Sequence, residues 1–266
     1  ISPIQDQGWI TIHGSEPASL QAALSTAGFA DTDESRFSRR YESKEDLLTC
    51  LEQLRAAAGL EQDRIRLHFG NASPKQTEGQ TTVTLTHFFE RIKHLDLVKI
   101  ITGAQFTSYL QPIADMQTNQ VFGYEFLLRS APGGPEFKPF ELFRIAGETG
   151  LHSFLDRSAR ISAIETSALH VPKGLKRFVN FLPSSIYNPN YCLSHTFHAI
   201  NRLALDPSDF VFEVVETERI IDIEHLKQIF KVYRAHGVKV ALDDVGSGFS
   251  TLEVLSELKP DYVKID

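Results

Sequence analysis

Residues 238–266 read VKVALDDVGSGFSTLEVLSELKPDYVKID, and the order of pieces within them decides the fold. A short apolar run ends in the pair Asp243-Asp244, and VGSGFSTL follows. There Gly246 and Gly248 allow a tight loop, and Ser250 or Thr251 can cap the next helix. The chain then returns to a second apolar run, YVKID, which carries Lys264. Upstream, FVNFLP around Asn180 and FVFEVVE around Glu213 have the same form, with helical segments such as IEHLKQIFKVYRAHG between runs. Such runs are what parallel strands buried on both faces look like. The stretch SYLQPIADMQTNQVFGYEFLLRS differs, because only MQTNQ separates its two apolar runs. That gap is too short for a crossover helix, so the two strands must pair as an antiparallel hairpin. The predicted fold is an α/β TIM-like barrel over residues 105–266 with one antiparallel strand at its start. About six strands can be counted from Phe106, against the eight strands and ~250 residues of a closed barrel. The expectation is therefore a barrel truncated at its C-terminus by about two β/α units, in a chain that begins at Ile1 and stops in VKID as an excised fragment.

Working back toward the N-terminus, residues 82–104 (TVTLTHFFERIKHLDLVKIITG and its flanks) predict a long amphipathic connecting helix. The RIKHLDLVK portion is diluted by Glu90 and Asp96, which favours a packed helix over a basic membrane-surface one. Residues 1–81 alternate strand-like GWITIHG, RFSRRYES and RIRLHFGN with helix-like SLQAALSTAGF and KEDLLTCLEQLRAAAGL. They predict a small α/β accessory domain, sensor or scaffold, closed by the polar linker NASPKQTEGQ.

Composition narrows the function. Of 266 residues 42% are hydrophobic, enough for one large domain or for one large and one small. Lys and Arg number 27 against 34 Asp and Glu, a net charge of -7 that argues against a DNA-binding surface. Cys50 and Cys192 are too few for a disulfide framework and lack zinc spacing, so both read as small hydrophobes. No apolar run approaches the roughly 20 residues that span a bilayer, and the first residues lack a signal-peptide pattern, so a cytoplasmic location is expected. His152, His195, His198 and His236 lie in helical stretches with no H-x-x-x-H pair and read as ordinary surface or core residues.

The chemistry lies at the strand ends. Glu125, Asn180, Glu213, Asp243 with Asp244, and Lys264 each close an apolar run, and in a parallel barrel such ends share one mouth. A single polar strand end is ordinary; five in succession are not. Converging carboxylates either raise their pKa values or hold cations. Oxygen ligands without His or Cys select hard cations, Mg²⁺ or Mn²⁺ and sometimes Ca²⁺. The Asp pair could serve or bridge two ions, an arrangement suited to in-line attack of water on a phosphodiester. Lys264 could orient that water or balance charge on the pentavalent phosphate, or simply stand in a salt bridge. Arg129, four residues past Glu125, is either a two-oxygen phosphate clamp or a surface ion-pair partner. Glu216 lies an odd number of residues from Glu213 and is expected to face away.

Taken together, YLQPIADMQTNQVFGYEFLLRS, FVNFLP and VKVALDDVGSGFSTLEVLSELKPDYVKID resemble EAL domains over Phe106–Asp266. The resemblance implies a phosphodiesterase that hydrolyses cyclic di-GMP to the linear dinucleotide pGpG in bacterial second-messenger signalling. It further implies two Mg²⁺ or Mn²⁺ ions, with Ca²⁺ as an inhibitory substitute, and a homodimer within a protein that has further domains. Carried over, the metal ligands are Glu125, Asn180, Glu213, Asp243 and Asp244, and the catalytic lysine is Lys264, acting with Glu125. The phosphate-binding pair is Gln111 and Arg129. Three positions depart from the family pattern: Phe126 for Ala, Val215 for Thr and Val245 for Phe. Phe126 should face away from Glu125 and repack without loss of the ligand. These departures, with the missing C-terminal strands, keep open a second reading: a degenerate EAL domain that binds cyclic di-GMP as a receptor or holds a protein partner.

Overall fold

The computed structural model describes residues 4–13, 18–33, 36–59, 62–70, 82–214, 222–243 and 252–265. Val215, Glu216, Asp244, Val245, Gly246, Gly248, Ser250 and Thr251 lie outside them. Two units result, residues 1–103 with 141–151 and residues 104–140 with 152–266.

In the first unit the chain runs β1 (Gly8–His13), α1 (Ala18–Thr26), β2 (Ala30–Asp33), β3 (Arg36–Tyr41), α2 (Lys44–Ala58), β4 (Arg66–Gly70), β5 (Val83–Thr84), α3 (Leu85–Lys93) and α4 (Leu95–Thr102). The sheet order is β2-β3-β1-β4-β5 with every pair antiparallel. Period-2 alternation turns Ile10 and Ile12 of β1 and Leu67 and Phe69 of β4 into one apolar core. Against it lie Leu47, Cys50, Leu51 and Leu54 of α2, spaced for one helical face. Ser43 caps α2, its side chain accepting from the Asp46 amide at 3.1 Å. Cys50 is buried and Cys192 half-buried, and both are free thiols. The stretch predicted as one helix over 82–104 is two. His94 leaves the helical region (φ −116°, ψ 40°), closing α3 with its N–H on the Glu90 carbonyl and opening α4 with its carbonyl on the Val98 amide. Leu85, Phe88, Phe89 and Ile92 of α3 join the first unit's core.

The second unit continues with β6 (Phe106–Asp115), β7 (Gln120–Ser130), α5 (Pro139–Glu148), α6 (His152–His170), β8 (Lys176–Phe181), α7 (Pro189–Cys192), α8 (Ser194–Arg202), β9 (Phe210–Val214), α9 (Ile223–Ala235), β10 (Lys239–Leu242), α10 (Leu252–Leu258) and β11 (Tyr262–Val263). Residues 141–151, and with them most of α5, group with the first unit. The six strands lie in sequence order from β6 to β11; β6 and β7 pair antiparallel and every later pair is parallel, as the spacing of the runs predicts. Asp115 holds the hairpin turn, its Oδ1 accepting from the amides of Gln117 (2.8 Å) and Thr118 (3.2 Å). Asn119 takes the left-handed conformation there at φ +53°, which asparagine tolerates better than most residues.

Both faces of this sheet are apolar, for different reasons. On one face Val179, Phe181, Phe212, Val214, Val240 and Leu242 pack under Ile164, Phe197, Ile200, Leu226, Ile229 and Phe230 of the helices. On the other, Phe178, Val211 and Ala241 form a smaller cluster with Ile113, Phe122 and Tyr262. Phe122 joins it because the β6/β7 register shifts beside it, between Gly123 and Val121, and a bulge re-aims the side chain.

Candidate functional site

The site stands directly on that smaller cluster. Phe178 precedes Asn180 by two residues, Val211 precedes Glu213, Ala241 precedes Asp243 and Tyr262 precedes Lys264. Strand side chains repeat every two residues, so four strands place an apolar layer and then a polar layer on the same face. The registers align these layers, with Asn180 beside Glu213, Glu213 beside Ala241, and the Lys264 amide donating to the Leu242 carbonyl at 2.9 Å. β7 meets β8 closely enough that a Cβ on Gly123 would lie 2.5 Å from the Lys176 carbonyl oxygen. Glycine is required at that crossing, two residues before Glu125.

The strand ends converge on Lys264. Its ammonium lies 3.1 Å from Glu125 Oε2, 3.4 Å from Glu213 Oε2 and 3.2 Å from each Asp243 oxygen. Asn180 Nδ2 donates to the other Glu125 oxygen at 3.1 Å. Thus five of the residues expected at one mouth meet there: Glu125, Asn180, Glu213, Asp243 and Lys264. Phe126 turns the opposite way, 4% exposed within the core under the helices, as repacking predicts.

Glu213 is fully buried, and among the described residues neither of its oxygens accepts a hydrogen bond. Its contact with Lys264 is an ion-pair approach whose geometry falls short of one. Burial pushes its carboxyl up to about 8; Glu125 and Asp243 push the same way and Lys264 opposes them. For Lys264 burial acts to lower the pKa, but Glu213, Glu125 and Asp243 outweigh it and hold the ammonium above its ordinary value. Two orphaned buried oxygens and an all-oxygen donor set fit a hard divalent metal among these residues.

Gln111 and Arg129 do not touch this cluster in the structure. Gln111 is exposed and sits opposite Glu125 across the hairpin. Arg129 lies on the same strand as Glu125, roughly 13 Å along it, and its Nη1 donates to the Leu128 carbonyl at 2.8 Å.

Two groupings escaped the sequence reading. Glu90, His94 and Glu148 bring their ligand atoms within 4.8 Å of one another in the first unit. There Glu90 lies 3.7 Å from Arg55 and 3.8 Å from Lys93, and Glu148 lies 2.6 Å from Arg144, so the grouping forms a partly exposed ion-pair network. The other is Asp156 with Arg160, a pair spaced i,i+4 on the buried face of α6. Its signal in the sequence was two opposite charges spaced i,i+4 in a helix stripe shared with Leu155, Ala163 and Ile164.

With this geometry in place, comparison with known proteins is decisive: the EAL domain model matches residues 95–266. The chain belongs to the EAL domain family. Among curated relatives, the probable cyclic di-GMP phosphodiesterase PdeG of Escherichia coli (strain K12) is 29% identical over 179 residues, covering 64% of this chain and 34% of PdeG. A standalone versatile EAL protein from Vibrio cholerae O395, solved with c-di-GMP bound, is 32% identical with a TM-score of 0.52, covering 60% of this chain and 66% of that one. Klebsiella pneumoniae BlrP1, solved as a manganese and cyclic di-GMP complex, shares the fold at 19% identity and a TM-score of 0.53, covering 98% of this chain and 80% of that one. The chain spans 34% of PdeG and 21% of a Caulobacter signaling protein that it also matches. No helix among the described residues is long and apolar enough to cross a membrane.

Proposed function

We propose that this chain is the metal-dependent phosphodiesterase part of a cytoplasmic signalling protein, hydrolysing cyclic di-GMP to pGpG. The observation that supports it most strongly is the convergence of the Glu125, Glu213 and Asp243 carboxylates around the Lys264 ammonium, at 3.1 to 3.4 Å from it. Glu125, Asn180, Glu213 and Asp243, with Asp244 beside them in sequence, would hold Mg²⁺ or Mn²⁺. When bound, two such ions supply charge neutralisation and a polarised water for in-line attack at phosphorus. Hydrolysis would form a bond from the water oxygen to phosphorus and break the P–O3′ bond, one water proton ending on O3′ as the freed 3′-hydroxyl, so that one ring phosphodiester becomes the 5′-phosphate of a linear dinucleotide.

The chain's own residues do the rest. Lys264, kept protonated by its carboxylate neighbours, carries positive charge at the point where the phosphoryl oxygens gain negative charge. The apolar floor of Phe178, Val211, Ala241 and Tyr262 keeps water away from the underside of the site and stiffens the strands that aim its ligands. Arg129 would bring two N–H donors to a phosphate and Gln111 a further amide, both from the hairpin. The first unit is read as a sensor or scaffold, and the active form as a homodimer.

The test is turnover of cyclic di-GMP with Mg²⁺ or Mn²⁺ by the full-length protein and by Glu125→Ala and Lys264→Ala. Each variant is expected to lose turnover, and either one retaining it overturns the assignment of the site. Tight binding of cyclic di-GMP without product would instead make this a receptor.

A further inference from the structure

A buried ion pair stands near each end of strand β8, and only one of the pairs is near the end that bears Asn180. At the far end Arg177 Nη1 meets Asp209 Oδ2 at 2.9 Å, and the same oxygen accepts from the Gly174 amide at 3.0 Å. At the near end Asp156 and Arg160 of α6, each 2% exposed, pair at 2.5 Å. Asp156 also reaches into the turn that follows β8. Its Oδ1 accepts from the Leu182 amide at 3.0 Å, its Oδ2 accepts from the Ser185 hydroxyl, and the Ser185 amide closes the turn on the Leu182 carbonyl at 3.0 Å. Leu182 is two residues past Asn180, whose amide donates to Glu125.

A buried ion pair is weak evidence for stability, because well-packed apolar replacements are often neutral or better. The geometry accounts for this one otherwise. Asp156 joins three separate parts, a helix side chain, a backbone amide and a hydroxyl, and so fixes where β8 stops. Residues that orient metal ligands through hydrogen bonds typically change affinity about 10–100-fold when removed.

We propose that Asp156 is a positioning residue for the metal site: by anchoring the Leu182–Ser185 turn to α6 it sets the reach of Asn180 toward Glu125. This rests on the metal reading given above. The probe is Mn²⁺ alone, its binding to the full chain measured by the EPR signal of the free ion, with the thermal midpoint recorded for each protein. The variants are Asp156→Asn, the double Asp156→Leu/Arg160→Met, which leaves no unpaired buried charge, and the matched far-end double Asp209→Leu/Arg177→Met. Both Asp156 variants are expected to weaken Mn²⁺ binding about tenfold or more. The far-end double should stay within about twofold of wild type whatever its midpoint does, since that pair bonds neither a ligand side chain nor the turn that follows Asn180. Where Asp156→Asn fails to fold, the near-end double carries the test. Wild-type affinity in a folded Asp156 variant overturns the inference alone, as does an equal loss in the far-end double. A wild-type chain that binds no Mn²⁺ overturns the metal reading and this inference with it.

Discussion

Glu213→Gln should flatten the pH dependence of the metal-free protein's stability. Glu213 is fully buried, and burial first, aided by Glu125 and Asp243, raises its carboxyl from 4.5 to about 8 against the pull of Lys264. Between those values the folded chain keeps a proton that the unfolded chain has released. Stability from this group is therefore greatest below 4.5, falls as pH rises and levels off above about 8. Lys264, held above its ordinary 10.5, stays charged in both states across this window and adds no slope. At about 1.4 kcal/mol per pH unit, the loss from Glu213 reaches about 5 kcal/mol, a large share of the ~5–15 kcal/mol that stabilises a typical domain. Glutamine holds no such proton. The wild-type stability minus that of Glu213→Gln should thus fall by about 3–5 kcal/mol between pH 5 and pH 8.5. The single tryptophan, Trp9, belongs to the first unit, so its fluorescence does not report on this site. Urea unfolding in a chelator, followed by hydrogen-exchange mass spectrometry of the Phe210–Val214 strand, reads it directly. A difference that stays constant to within about 1 kcal/mol across the window would refute the claim that burial keeps Glu213 protonated.

Other consequences follow from the packing around the site. Gly123→Ala drives a methyl to 2.5 Å from the Lys176 carbonyl oxygen, so it should cost about 1–3 kcal/mol and lower turnover by moving Glu125; a thermal midpoint and a rate check both. Phe126→Ala installs the residue usual in EAL domains, yet it should cost about 3–5 kcal/mol by opening a cavity beneath the helices. Turnover measured well below its melting range should be unchanged, because Phe126 faces the core and not the ligands.

The sequence carried the site further than the fold around it. Asn180, Glu213, Asp243 and Lys264 were legible because each closes an apolar run, and the two-residue period then dictates that Phe178, Val211, Ala241 and Tyr262 lie beneath them. The hairpin was legible because five residues cannot cross over a sheet. Strand β2, sequence ADTD, was not, since acidic residues and alanine carry little strand preference and only pairing with β3 makes it a strand. The break at His94 was hidden because the apolar spacing of α3 continues into α4 with little interruption. Asp156 was missed for a further reason: its partners Leu182 and Ser185 lie 26 and 29 residues away, and no local pattern announces a contact of that range.

The central claim is tested most directly by following cyclic di-GMP in the full-length protein with Mn²⁺ and with a chelator, resolving substrate from product by chromatography. Conversion to pGpG that needs the metal, and that stops in Lys264→Ala, is the predicted result. Cyclic di-GMP recovered intact from a protein that binds both it and Mn²⁺ would contradict the account.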